Sequence, residues 1–255
     1  MNSNSRRPFF TIITATFNSG KVIGDCLNSV RNQSYSDYEH LIIDGKSLDN
    51  TMEIVENFGS GQVRWISEAD YGIYDAWNKG IKLVQGKWVM FLGSDDILYP
   101  NALEKYAATL SNRSFPEEIE FVSSKIHMVD SKGKIYRTVG KAYKWSEFKR
   151  SVKIAHPGSL HKITLFEKYG LYDTNYKICG DYEFLLRAGD SLRATYVDFV
   201  AVAMSDGGIS NNNRQKVFKE HYRAVTQTGR LNRWIATYDY ISLNLKAFIR
   251  DIVVK

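Results

Sequence analysis

The chain is 255 residues long, 44% hydrophobic and 24% charged, with a formal net charge of +6, which fits one large α/β domain with or without a helical appendage. Lys and Arg balance Asp and Glu at 25 each over residues 1–211, whereas residues 212–255 carry nine against three; the excess belongs to the tail, and a charge-neutral core speaks against nucleic-acid binding. Apolar runs such as FVAVAM at 199–204 fall far short of the ~20 residues of a spanning helix, no apolar leader follows a charged start, and Cys26 and Cys179 stand far apart without metal-ligand spacing, so a cytoplasmic protein without disulfides or zinc is expected.

In chain order, FFTIITATF at 9–17 predicts a strand, and Val22, Cys26, Leu27 and Val30 fall on one helical face. HLIID at 40–44, a helix over 51–58, VRWISE at 63–68, a helix over 73–84 and WVMFLG at 88–93 continue the rhythm, and Pro100 suits the first turn of another helix. Such alternation predicts a parallel sheet with helices on both faces. After about Ser114 the pattern changes, because EFVSSKIHMVD and KIYRTVG flank Ser131-Lys132-Gly133 as a hairpin would, making the sheet mixed. A basic aromatic stretch, KAYKWSEFKRSVK, follows, then the loop AHPGSLH, a helix ending near Gly170, a helix opening at Gly180-Asp181 and the strand ATYVDFVAVAM. From Leu231 onward, Trp234, Ile235, Tyr238, Ile241, Leu245, Phe248, Ile249 and Ile252 form one apolar helical stripe, with Arg233, Lys246 and Arg250 mostly off it. That stripe either packs back on the domain or docks to an anionic membrane surface.

Open α/β sheets bind ligands at the carboxyl ends of their strands, and here those ends are acidic: Thr16-Phe17-Asn18, Asp44-Gly45, Glu68-Ala69-Asp70 and Ser94-Asp95-Asp96. Each alone could be a turn or a cap; four in succession on one edge call for another explanation. The first βα turn reads FNSGK and lacks a dinucleotide fingerprint, and Gly80, Gly86-Lys87 and Trp88 miss the P-loop spacing. Adjacent carboxylates at Asp95 and Asp96 make sense around a hard divalent cation whose remaining ligands are water and a diphosphate. The alternative is an acidic pair capping the helix near Pro100.

FTIITATFN, LIIDGKSLDNT, SEADYGIYDAWNKGIKLVQGKW and FLGSDDILYPNAL resemble the successive motifs of family 2 glycosyltransferases, in order and spacing, over about the first 110 residues. The GIYDAWNKG stretch is similar to bacterial transferases that build colanic acid, O-antigen and capsule. The resemblance implies a GT-A (nucleotide-diphospho-sugar transferase) fold: a mixed, mainly parallel central sheet flanked by helices, with a C-terminal helical extension. It implies a GT-A domain over 1–211, with a donor half of about 1–112 and an acceptor half of about 113–211, and a basic amphipathic helical tail over 212–255. It further implies Mn2+ or Mg2+ as cofactor, a nucleotide diphosphate sugar, of UDP type, as donor, and an inverting transfer of a hexose or N-acetylhexosamine. The acceptor would be a saccharide or lipid-linked saccharide in bacterial surface polysaccharide biosynthesis; the cationic tail and the KAYKWSEFKRSVK stretch point to a lipid-diphosphate-linked one at the inner face of the cytoplasmic membrane.

Residue by residue, the resemblance implies that Phe17, beside Thr16, and Asp44 hold the nucleotide base, Asp95 touches ribose or metal, and Asp96 is the main metal ligand. Lys79 falls near the donor pocket, where it meets phosphate or remains a solvated helix lysine, and Asp70 and Asp75 either line the donor pocket or support the groups that do. Lys46 stands where the family's DGGS or DGSS has glycine or serine, and no role attaches to it. An inverting displacement needs a base on the acceptor hydroxyl but no acid on the leaving group. The resemblance puts that base at Asp181 in ICGDYEFLLRAGD, with Glu183 and Asp173 as fallbacks; a helix N-cap is the competing reading for Asp181. His156 and His161 fall in the acceptor region, and Gly207-Gly208 before Ile209-Ser210 resembles a closing segment. A non-catalytic binder on the same fold and a sugar nucleotidyltransferase are the alternatives.

Overall fold

A computed structural model describes residues 7–59, 61–208 and 213–253, with side chains through Leu245. Nine strands among these residues join in one sheet of order β3-β2-β1-β4-β8-β6-β9-β5, with β7 paired to β6. The amino-terminal part is the expected parallel core: β1 (Phe10–Thr16) pairs in parallel with β2 (Tyr38–Asp44) and β4 (Trp88–Gly93), and β2 pairs with β3 (Val63–Ser67). The first two read as near-continuous buried runs because helices cover both faces of the sheet. α1 (Ile23–Arg31), α2 (Thr51–Asn57) and α3 (Ile73–Leu83) are the crossovers. On α3, Gly80 lets the helix approach β1 and β2 closely, since a Cβ there would lie 2.9 Å from Ile13 Cγ2.

β5 (Ile97–Leu98), too short to show in the sequence pattern, pairs with the far end of β9 (Ala194–Ser205). It also shifts the next helix. Tyr99 still donates to Ala201 O, the chain turns through Asn101 at φ +62°, and α4 runs from Ala102 to Leu110, so Pro100 precedes the helix instead of opening it. β6 (Phe121–Val129) and β7 (Ile135–Val139) form the expected antiparallel hairpin, and β8 (Leu160–Lys162) joins β6 to β4, both antiparallel.

The helices α5 (Trp145–Phe148), α6 (Ile163–Tyr169) and α7 (Gly180–Ala188) cover one face with α3. Phe91, Phe166, Tyr172 and Phe184 fill that core with Trp77, each aromatic ring contributing several kcal/mol by the ~3–5 kcal/mol scale of aromatic-to-alanine changes. His156 and His161 belong to this core. His156 stacks on Trp77 and Phe91 and bonds Tyr172 Oη, while His161 lies fully buried among Phe91, Phe121 and Phe166. Burial pushes His156 down to about 3 and His161 well below its usual value, so both are neutral core groups and not contacts for an acceptor.

Two helices end the described chain. α8 (Arg214–Gln227) packs on α7 with Ala224 and Val225 buried, and so forms part of the core. α9 (Arg233–Val253) lies outside α8. Its described stripe faces away from the domain: Trp234, Ile235, Tyr238, Ile241 and Leu245 are exposed, while Ala236 is buried. Lys246, Phe248, Ile249, Arg250 and Ile252 have side chains outside the described residues.

Candidate active site

Register aligns the carboxyl ends of four neighbouring strands. Thr16 pairs with Asp44, Asp44 with Ser67, and Ala15 with Gly93, one residue before Ser94-Asp95-Asp96. With about 4.8 Å between strands, β2 and β4 flank β1 at a spacing that one nucleotide can cover. The loops above them are knitted together. Asn18 N–H donates to Ser47 Oγ, Leu48 N–H to Asn18 Oδ1, Ser19 N–H to Thr51 Oγ1, and the Ser19 and Ser94 hydroxyls meet at 2.9 Å.

Phe17 stands at this edge with 60% of its surface exposed, an aromatic face open for stacking. Gly45 lies close to both this ring and Asp70: a Cβ there would meet Asp70 Oδ2 at 2.6 Å and the Phe17 ring at 3.3 Å, so a side chain at this place would push the Asp70 carboxylate aside. Asp44 is fully buried and accepts from Ser47 N–H, Ser47 Oγ and Ser67 Oγ. Lys46 follows at φ +67°, the left-handed region that favours glycine, which gives the family's glycine at this place a backbone reason. Thr16 Oγ1, at the end of β1, is buried with no hydrogen-bond partner.

The acidic pair divides its work. Asp96 is 4% exposed, and its two oxygens accept from Gly93 N–H and Ser205 N–H, so it fastens the end of β9 to the end of β4. Burial, with Asp95 beside it, raises Asp96 to about 7. Asp95 is more accessible, and its Oδ2 lies 3.6 Å from where a Cβ on Gly207 would be. Neither carboxylate is paired with a cation among the described residues, nor do these residues hold a cluster of three or more His, Cys, Asp or Glu side chains suited to a metal. Ile209 and Ser210 of the closing-segment motif lie outside the described residues.

Lys79 is engaged. Its Nζ donates to Ala69 O and pairs with Glu68 at 3.1 Å and Asp75 at 3.7 Å, folding the loop of Asp70 back against α3. Asp70 Oδ1 accepts from Gly72 N–H, and Asp75 Oδ2 from Tyr71 N–H.

Asp181 sits in the first turn of α7, but the N-cap position belongs to Cys179 and no side chain caps it, so the capping reading of Asp181 fails. Its Oδ1 lies 3.0 Å from Tyr74 Oη, which is also 2.6 Å from Ile178 O. One hydroxyl proton serves two acceptors there. Burial raises the Asp181 carboxyl, and the Tyr74 bond works against that shift. Tyr74 belongs to α3, just after the Asp70 loop, and Lys177 Nζ donates to Tyr71 O, so the Asp181 turn touches the loop beyond β3. The fallbacks are occupied: Glu183 accepts from Arg187 and Thr228, Asp173 from Asn175 and Arg223.

Sequence reasoning missed Glu220. From α8 its carboxylate accepts the backbone N–H groups of Lys177, Ile178 and Cys179, pinning the turn that leads into α7. Nothing in RQKVFKE signals this, because all three donors are main-chain groups.

The sequence pattern of Glycosyl transferase family 2 matches residues 11–115. A PGL/p-HBAD biosynthesis glycosyltransferase of Mycobacterium bovis is 29% identical over 229 residues, 87% of each chain. An uncharacterized glycosyltransferase of Mycobacterium tuberculosis is 31% identical over 185 residues, 71% of this chain and 69% of that one. Among solved structures, S. aureus TarS 1–349 in complex with UDP superimposes with a TM-score of 0.65 at 19% identity, covering 92% of this chain and 70% of that one. The mannosyltransferase PcManGT from Pyrobaculum calidifontis, in complex with GDP-Man and Mn2+, gives 0.63 at 15% identity over 96% and 76%. With the motifs on one sheet edge and relatives matched along most of their length, the chain belongs to glycosyltransferase family 2 and is a glycosyltransferase of GT-A fold.

Proposed function

We propose that the enzyme moves a hexose or N-acetylhexosamine, with inversion, from a UDP-sugar to a hydroxyl of a lipid-diphosphate-linked saccharide in bacterial surface polysaccharide biosynthesis. The observation that carries this reading is the Tyr74–Asp181 contact, which ties a carboxylate with a raised pKa to the loop beside the open strand ends. Support for the donor class comes from TarS, whose structures include complexes with UDP and UDP-GlcNAc.

Phe17 would stack on the base, with Thr16 backing it at the end of β1. Asp44 would accept the ring N–H: three protein donors fill three of its roughly four acceptor positions. Asp70 and Lys79 would line the donor pocket through the loop they brace, and Asp95 would touch ribose or metal. The Asp96–Asp95 pair fits Mn2+ or Mg2+, because adjacent carboxylates without a cationic partner gain from a hard cation that takes its other ligands from diphosphate and water. When bound, that cation would supply neutralisation of the charge gathering on the leaving diphosphate. Asp181 would take the proton of the acceptor hydroxyl as its oxygen attacks the anomeric carbon, and the nucleoside diphosphate would leave from the opposite face. A lipid-carried acceptor makes the enzyme peripheral at the inner face of the cytoplasmic membrane.

The test is transfer from a panel of nucleotide sugars. Asp181→Asn is expected to lower kcat by about 10²–10⁴-fold while UDP still raises the thermal midpoint, and Asp96→Asn to lose both properties. An Asp181→Asn enzyme within a few-fold of wild type at saturating donor would refute the assignment of the base.

A further inference from the structure

We propose that the outward face of α9 is a docking surface for an anionic lipid bilayer. Trp234, Tyr238, Ile241 and Leu245 are 86%, 69%, 59% and 56% exposed, and at 100° per residue they fall within an arc of about 60°. The other sides of the amino-terminal half of the same helix hold it to the domain. Ala236 is buried there, Asp239 accepts two bonds from the Arg150 guanidinium at 2.6 and 2.8 Å, Tyr240 packs edge-on against Tyr222, and Thr237 meets the Tyr222 hydroxyl. The stripe is therefore turned outward by specific inner contacts, and a contiguous run of large apolar side chains held in water marks an interaction surface.

Charge selects the occupant. Asp239 is the one acidic residue between Arg233 and Leu245, and it lies on the inner side, neutralised by Arg150. Arg230 and Arg233 are exposed at the amino-terminal end of α9 and have no carboxylate partner among the described residues. Residues 212–255 hold the whole +6 excess of the chain. A second copy seated on this stripe would bring two cationic tails together with no acid on the face to pair them. Anionic headgroups pair them directly, and Trp and Tyr rings suit the boundary between headgroup and acyl chain. No described helix is long and apolar enough to cross a membrane, so α9 lies along the surface with its stripe inserted. The proposal deepens the reading of a lipid-linked acceptor, and its readout requires no sugar transfer, so either can fail without the other.

The full-length chain is sedimented with vesicles of phosphatidylcholine alone or mixed with phosphatidylglycerol, at low and high salt. The variant Tyr238→Glu/Ile241→Glu changes exposed positions only, and an unchanged thermal midpoint establishes that it is folded. The expected result is binding at least about 10-fold tighter to the anionic vesicles, as two or more surface cations at roughly 1 kcal/mol each require. That binding should weaken with salt and fall at least tenfold in the variant, whose transfer to a soluble saccharide is unchanged. Equal affinity for both vesicles, a variant that binds like wild type, or a wild-type dimer in light scattering that the variant converts to a monomer would each overturn the proposal.

Discussion

Replacing Glu220 by alanine removes in one step the acceptor for three backbone N–H groups, those of Lys177, Ile178 and Cys179, at 2.8–3.1 Å. Hydrogen bonds to a charged group contribute about 1.5–3 kcal/mol each, and buried donors left unpaired keep their full desolvation penalty. Part of that is recovered where the Lys177 and Ile178 amides, only partly buried, turn to water. The expected loss is about 3–5 kcal/mol, a large share of the roughly 5–15 kcal/mol that holds a domain folded. Urea unfolding followed by tryptophan fluorescence measures it. Glu220→Gln is the functional variant, since its one carbonyl oxygen can keep part of the set while its NH2 opposes a donor. We expect it to fold, to lower kcat about tenfold through misplacement of Asp181, and to leave the KM for donor within about twofold. Because the Glu220 charge helps to raise the Asp181 carboxyl, the same variant moves the acidic limb of the rate profile toward lower pH. An alanine variant within about 1 kcal/mol of wild type, or a glutamine variant with wild-type kcat, would show that the clamp has no such role.

Tyr74→Phe removes a hydrogen bond that lowers the Asp181 carboxyl; the acidic limb of kcat/KM should move to higher pH, and a limb that stays put contradicts a Tyr74–Asp181 pairing. Burial lowers His40 and His156 to about 3, whereas an unfolded chain titrates them near about 6.5. The unfolded state therefore takes the proton first, and the stability present above the unfolded value is lost as pH falls toward the folded one. Between about pH 7.5 and about pH 5 each histidine should cost about 2 kcal/mol. His156→Phe should thus lose about 2 kcal/mol less than wild type over that interval in urea titrations, and identical pH slopes would count against a neutral buried imidazole.

The parallel half was readable because its strands are runs of apolar, β-branched residues and its loops carry turn chemistry; α1, α3 and α7 start within a residue or two of where period and capping put them. β5 was not, since two residues have no period, and its pairing with β9 is what displaced α4 from Pro100. The family motifs foretold which strand ends carry the acids, and family membership sets aside the nucleotidyltransferase and the non-catalytic binder. They did not foretell that Asp44 and Asp96 would each be bonded to their own loops, or that Lys79 would brace Ala69. Side-chain partners distant in sequence leave no trace in a pattern, as with Tyr74, Glu220 and the two core histidines. The stripe on α9 was legible as a stripe, but periodicity fixes only that a face exists, and Asp239, Thr237 and Tyr240 decide which way it turns.

Ser205 holds Asp96 through its backbone, and Glu220, only fifteen residues later, holds the turn that carries Asp181. The stretch thus makes two anchors, one on the proposed metal ligand and one on the turn that carries the proposed base. If Asp96 and Asp181 have the proposed roles, loosening the Ser205 anchor should disturb the donor side and loosening the Glu220 anchor the acceptor side.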